Sequence, residues 1–249
     1  VAGLILPLLA AIAWEAAVRL GWIAAHQLPP PSELARTFTE LFKGGLLFKH
    51  VWISGVRVAA GFGLGAALGI LAGAAVSLSG RLNALVDPSI QGLRAIPSLA
   101  WVPLLLLWLG IDEAPKIILI AIGAFFPVYV ATVGGILNVD RKLVEVGRLY
   151  GFSRTALFLR VLAPASLPSI FTGLRTSLSL SWMFLVAAEL IAATKGIGYM
   201  LSDGRETGRV DLVLAAIITL ALLGKLTDGL LKWLEARTLY WRDTFKTGD

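Results

Sequence analysis

A chain of 249 residues that is 57% hydrophobic and only 15% charged, with a mean hydropathy of +0.81, is too apolar for water, since soluble domains carry roughly 25% charged residues. The net charge of +6 and pI near 9.8 would suit nucleic acid in a soluble protein, but in a membrane chain basic loops record insertion topology, so no nucleic-acid partner is expected. The absence of cysteine excludes disulfides, thiolate metal sites and cysteine nucleophiles.

The first apolar run, residues 2–25, is interrupted by Glu15 and Arg19, four apart and able to pair on one helix face. It is too long for a cleaved signal peptide, and Val1 in place of a methionine leads us to expect a short charged segment before it. Leu28-Pro29-Pro30-Pro31-Ser32 reads as extended chain, with Ser32 capping an amphipathic helix that bears Leu34, Phe38, Leu41 and Phe42 and is expected on the membrane surface. The second span, 51–78, carries Gly61, Gly65, Gly69 and Gly73 every four residues, a stripe that admits a close neighbour within the subunit in preference to a dimer seam. After a short turn at Arg81, the third span, 85–109, holds Asp87, Arg94, Pro97 and Pro103, and its prolines predict kinks. A turn at 110–115 precedes the fourth span, 117–139, which should bend at Pro127. The fifth, 168–193, has Arg175 and Glu189 roughly 21 Å apart along a helix, near opposite interfaces. The sixth, 212–231, carries Lys225 and Asp228, three apart and able to pair, and a polar tail, 232–249, follows.

The pattern predicts an all-α membrane protein of about six transmembrane helices in a single domain, 1–249, with one long basic loop at about 140–168. The side holding that loop carries more Lys and Arg, Arg242 and Lys246 of the tail included, which makes it cytoplasmic, and an even number of spans puts both termini there. The loop reads as two short helices meeting at Gly151, with Ser153 capping the second and Leu143, Val146 and Tyr150 sharing the apolar face of the first. Its length and order suit a surface for a partner better than a linker.

These residues resemble a signature of permease subunits of ATP-binding-cassette (ABC) importers: Glu-Ala-Ala, three residues, Gly, nine residues, Ile, one residue, Leu-Pro. Here the match is Glu145-Val146-Gly147, Gly151 and Val161-Leu162-Ala163-Pro164, with every interval intact and with departures in size at Val146, Gly147, Val161 and Ala163. Pro97-Ser98-Leu99-Ala100-Trp101-Val102-Pro103, Trp108-Leu109-Gly110-Ile111-Asp112, Gly173-Leu174-Arg175, Val186-Ala187-Ala188-Glu189 and Gly196-Ile197-Gly198-Tyr199-Met200 are similar to the sulfonate, taurine and nitrate branch of these permeases. Gly110-Ile111-Asp112-Glu113 and the segment 221–226 lean toward the aliphatic sulfonate permeases, with taurine, nitrate or bicarbonate as the alternative solutes.

The resemblance implies a bacterial inner-membrane permease working as a homodimer, two ABC ATPase subunits that bind ATP and Mg2+, and an extracytoplasmic solute-binding protein. It also implies that Glu145, Val146, Gly147, Tyr150 and Gly151 dock on the ATPase and that Pro164 stops the second helix. The chain itself has no phosphate loop: its one Gly-Lys pair, Gly224-Lys225, has Thr219 where the motif needs Gly and Leu226 where it needs Ser or Thr. It is therefore expected to be no enzyme and to bind no cofactor or metal, with energy coming from the partner. Pathway candidates are Arg94, Ser177, Ser181, Trp182 and Glu189. A lone carboxylate has the wrong sign for an anionic solute, so Glu189 reads better as a gate or a structural partner. Arg57, Arg94 and Arg175 are arginines in or beside the spans that could meet an anion, although each also reads as an interface anchor. An ion-driven secondary transporter would need paired midplane carboxylates or inverted repeats, and a membrane enzyme a catalytic cluster; neither pattern is evident.

Overall fold

The computed structural model describes residues 5–241, and these form helices with no strand among them. The order is α1 Ile5–Arg19, α2 Pro31–Lys43, α3 Leu46–Leu78, α4 Gly80–Arg94, a 3-10 turn Ser98–Trp101, α5 Val102–Leu109, α6 Glu113–Leu137, α7 Arg141–Leu149 and α8 Arg154–Leu157. A π-helical turn, Phe158–Leu162, leads into α9 Ala163–Ala192, followed by α10 Ile197–Glu206 and α11 Val210–Thr238. Residues 1–4, at the start of the expected first span, and 242–249, including Arg242 and Lys246, lie outside the described residues.

By length and composition, α3, α6, Arg154–Ile191 and Val210–Thr238 can cross a membrane, and a bent pair, Gly80–Arg94 with Ser98–Leu109, makes five if it counts as one span. The expected six is not reached among the described residues. The first run shortens because α1 ends in a turn in which the Gly21 N–H donates to the Val18 carbonyl and the Trp22 N–H to that of Ala17, both at 3.0 Å. The third run bends as its prolines predict, by 87° at a break that contains Pro97. Pro97 lacks an N–H and pushes Ile96 out of the helical region, so the ladder cannot continue from Arg94 into Val102. Arg81, expected in a turn, stands in the first turn of α4, where the Ser79 hydroxyl accepts the Leu82 N–H.

The helices pack into two compact units. The first comprises the chain up to Arg57 together with Leu185–Leu223. Its core gathers Leu34 and Leu41 from α2, Ile197 and Met200 from α10, and Leu212 and Ala215 from α11. Leu34 and Leu41 of α2 are thus covered by protein with Phe38 packed against them, while Phe42 of the expected apolar face stays exposed, and Thr37 ties the helix to Asp211 by a 2.8 Å hydrogen bond. The predicted Ser32 cap is also displaced. Pro31 takes the first helical position, Pro30 becomes the cap, and the Ser32 N–H and hydroxyl donate to the Glu15 carboxylate at 3.0 and 2.8 Å. Glu15 also holds the expected pair with Arg19, at 2.6 Å.

The second unit, Val58–Phe184 with the chain from Gly224, is built on α3 against α6. The glycine stripe is used within the subunit: a Cβ on Gly69 would lie 2.8 Å from the Phe125 carbonyl oxygen, and one on Gly73 2.8 Å from the Thr132 Cβ. Asp228 departs from its expected partner Lys225 and takes Arg175 in a two-pronged ion pair at 2.8 and 3.1 Å, with Glu235 at 3.7 Å. Pro164 does not stop the second helix of the loop. The widened turn Phe158–Leu162, where the Ala163 N–H reaches back to the Phe158 carbonyl, precedes the proline and carries the helix through into α9.

Candidate functional site

In the second unit, α7 starts where the Asp140 side chain accepts the Lys142 N–H at 2.9 Å, and it turns at Gly151, whose φ of 72° suits glycine. Ser153 caps α8 as expected, accepting the Ala156 N–H at 3.3 Å. Gly147 is the contact point between the two halves of the loop: a Cβ there would meet Leu157 Cδ1 at 2.6 Å, so the small residue lets α7 lie directly on α8 and the π turn. Beside that contact α7 is open. Leu143 is 49% exposed, Val146 48%, Leu149 87% and Tyr150 77%. Leu143, Val146 and Tyr150 line a cleft of about 550 Å³ together with Phe152, Val161 and Pro164. Glu145 is exposed and held by Arg141 at 3.1 Å, one turn away. The loop therefore presents an apolar ledge edged with charge.

Glu189 belongs to the first unit and is 1% exposed. Its carboxylate accepts the Ser54 hydroxyl at 2.8 Å, Arg57 Nη1 at 2.7 Å and the Gly198 N–H at 2.7 Å. Arg57 also donates to the Lys195 carbonyl at 2.7 Å, the Ile197 N–H donates to Ser54 Oγ at 2.9 Å, and the Gly196 N–H to His50 Nδ1 at 3.0 Å. At Gly196 φ is 124° and a Cβ would run into the Glu189 carboxylate, so only glycine fits there. The cluster fastens the segment ahead of α10 to α3. Sequence reasoning marked Glu189 but not Ser54 or His50; the signal was the Gly196-Ile197-Gly198 run, whose amides need acceptors inside an apolar protein.

The other pathway candidates lie in the second unit. Ser177 is buried and donates to the Ala124 carbonyl at 2.9 Å, Ser181 donates to the Ser177 backbone carbonyl at 2.9 Å, and Trp182 Nε1 donates to Thr227 Oγ1 at 3.0 Å. Arg94 instead opens on a cavity of about 470 Å³, with Ser98 beside it in the lining and Thr172, Thr176, Leu180 and Phe184 contributed by α9. Those four recur every four residues, a face of α9 that the sequence reading passed over in favour of the serines at 177 and 181.

A family model described as the inner-membrane component of binding-protein-dependent transport systems matches residues 65–240, which include the whole loop and the cavity. The chain belongs to this family. As a permease it is 45% identical over 98% of its length, and 88% of the relative's, to the putative aliphatic sulfonates transport permease of Bacillus subtilis. Against the corresponding putative Escherichia coli permease the identity is 43%, over 93% of this chain and 88% of the relative. The taurine transport system permease of Escherichia coli is 34% identical, over 92% of this chain and 85% of the relative. An inward-facing structure of the MetNI methionine ABC transporter superposes with a TM-score of 0.66 over 78% of this permease and 96% of that chain, at 17% identity, a likeness of fold. The permease is thus a multi-pass inner-membrane subunit of the ABC transporter class, and its relatives are transport proteins and not enzymes.

Proposed function

We propose that this permease carries an aliphatic sulfonate inward, driven by ATP hydrolysis on separate ATPase subunits. Two copies form the pathway, two ATPases bearing ATP and Mg2+ attach at the loop 140–168, and a binding protein delivers solute on the other side. Both chain termini share the cytoplasmic face with the loop. In this reading Glu145, Val146, Gly147, Tyr150 and Gly151 form the coupling surface, Pro164 lies at its edge, and Arg94, Ser177, Ser181, Trp182 and Glu189 belong to or support the pathway.

The observation that carries the reading is the ledge of α7: an amphipathic helix seated through Gly147 whose apolar residues beside that contact, Leu143, Val146 and Tyr150, stay largely uncovered. Such a face costs free energy in water unless a partner covers it. The sulfonate assignment rests on the 45% and 43% identities to permeases named for aliphatic sulfonates, against 34% for the one named for taurine.

The test is uptake of radiolabelled alkanesulfonate into proteoliposomes holding permease and ATPase, with the binding protein and ATP supplied. Glu145→Ala and Gly151→Ala should each reduce uptake about tenfold or more, the scale of losing a charge-assisted contact or forcing a left-handed turn, while the permease still inserts and purifies normally. Undiminished uptake in both variants would sink the coupling assignment, and uptake of taurine or bicarbonate in place of alkanesulfonate would move the solute.

A further inference from the structure

Arginines are the strongest donors a membrane pathway can offer an organic anion. Two of those near the spans are neutralised within the fold: Arg57 by Glu189 at 2.7 Å and Arg175 by Asp228 at 2.8 Å. Arg94 differs. Its guanidinium donates at 3.2 Å to the neutral side-chain oxygen of Gln91, and among the described residues no carboxylate pairs with it. It stands at the end of α4, where the chain breaks ahead of Pro97, and faces the 470 Å³ cavity as the sole charged side chain among the described residues of the lining. That volume is within the range of small-molecule sites.

The rest of the lining sorts into two chemistries. Ser98, Thr172 and Thr176 supply hydroxyls, and Phe126, Leu180 and Phe184 supply apolar surface. Thr172 and Thr176 donate to the Pro168 and Thr172 carbonyls one turn back, both at 3.0 Å. Such a hydroxyl can swing its proton to an incoming anion at small cost. We propose that this cavity is a solute site of the permease, binding a small organic monoanion with its head group on Arg94 and an alkyl tail against Leu180 and Phe184. The proposal rests on the importer reading above and narrows it. A zwitterion such as taurine brings an ammonium that needs a carboxylate, and the lining has none. Bicarbonate has no tail to cover the apolar wall. An unsubstituted alkanesulfonate satisfies both halves.

The absence of cysteine allows a direct test, because Thr176→Cys introduces the sole thiol of the chain at an exposed position of α9. In membranes holding the permease with its ATPase, the rate of maleimide labelling is read on the permease band without ATP. Hexanesulfonate at about ten times its dissociation constant should slow labelling about tenfold, since only the unoccupied fraction reacts, while hexanol and taurine at the same concentration should protect far less. Adding Arg94→Gln should abolish the protection and Arg94→Lys restore part of it. Equal protection by hexanol, protection that survives Arg94→Gln, or no protection by hexanesulfonate would overturn the site. A thiol that fails to label in the absence of sulfonate would overturn it too, since the cavity would then be covered by a second copy or by lipid. Because labelling needs no transport, failure here is separate from failure of ATP-driven uptake.

Discussion

Of the acidic side chains within the described helices, Glu189 shows how a carboxylate is kept in an apolar protein. Arg57 and Glu189 have side chains 4% and 0% exposed, so neither charge has water to fall back on. Removing one partner strands the other, at a cost of about 3–5 kcal/mol. Glu189→Gln should therefore lower the thermal stability of the purified permease sharply. Replacing both Arg57 and Glu189 by Ala should cost less than the two single losses added, because the double variant buries no unpaired charge. A strictly additive double variant in melting experiments would mean that the pair is not coupled. Arg175 offers the contrast: with Glu235 at 3.7 Å behind Asp228, Asp228→Asn leaves a carboxylate in reach, and its melting temperature should shift less than that of Glu189→Gln.

At the scale of elements, the α3–α6 contact is set by backbone approach. A Cβ at Gly65 would collide with the Ala121 carbonyl, and at Gly69 the obstacle is again a carbonyl oxygen, which cannot swing aside as a side chain can. Gly69→Val should destabilise by about 1–3 kcal/mol, the usual range for overpacking. Gly63 lies in the same helix with nothing within 4 Å of its would-be Cβ, so Gly63→Ala should be neutral or gain up to about 1 kcal/mol from helix propensity. Comparable losses at both positions, measured by thermal melting in detergent, would contradict this packing. The loop obeys the same logic. Gly147 brings α7 close, Gly151 turns it, and the π turn absorbs Pro164, so the exposed face of α7 is positioned by backbone geometry.

For the molecule as a whole, the proposed topology makes a further prediction. A fluorescent-protein fusion at the C-terminus should fluoresce and an alkaline phosphatase fusion there should be inactive, while phosphatase fused after Arg205 should be active. The reverse pattern would place the loop 140–168 on the wrong side for an ATPase. Much of this was legible in the sequence. Hydropathy marked the long spans, because a run of apolar residues is stable in lipid whatever its neighbours are. The spacing of Glu145, Gly151 and Pro164 marked the loop, because a short helix, a turn and a second helix are written in adjacent residues. Partners were not legible in the same way. Glu189 meets Arg57 across 132 positions and Arg175 meets Asp228 across 53, and nothing local in the chain says which of several ionisable groups will face one another. Nor could periodicity show that Pro97 would break a span by 87°, that the apolar face of α2 would find Ile197 and Met200, or that Thr172 and Thr176 in place of Ser177 and Ser181 would face the cavity beside Arg94. The sequence by itself determined a membrane permease with a two-helix loop at 140–168, since both depend on local composition and spacing. Only the tertiary structure decided which charges are neutralised and which arginine still faces a cavity, since that depends on contacts made when distant helices pack.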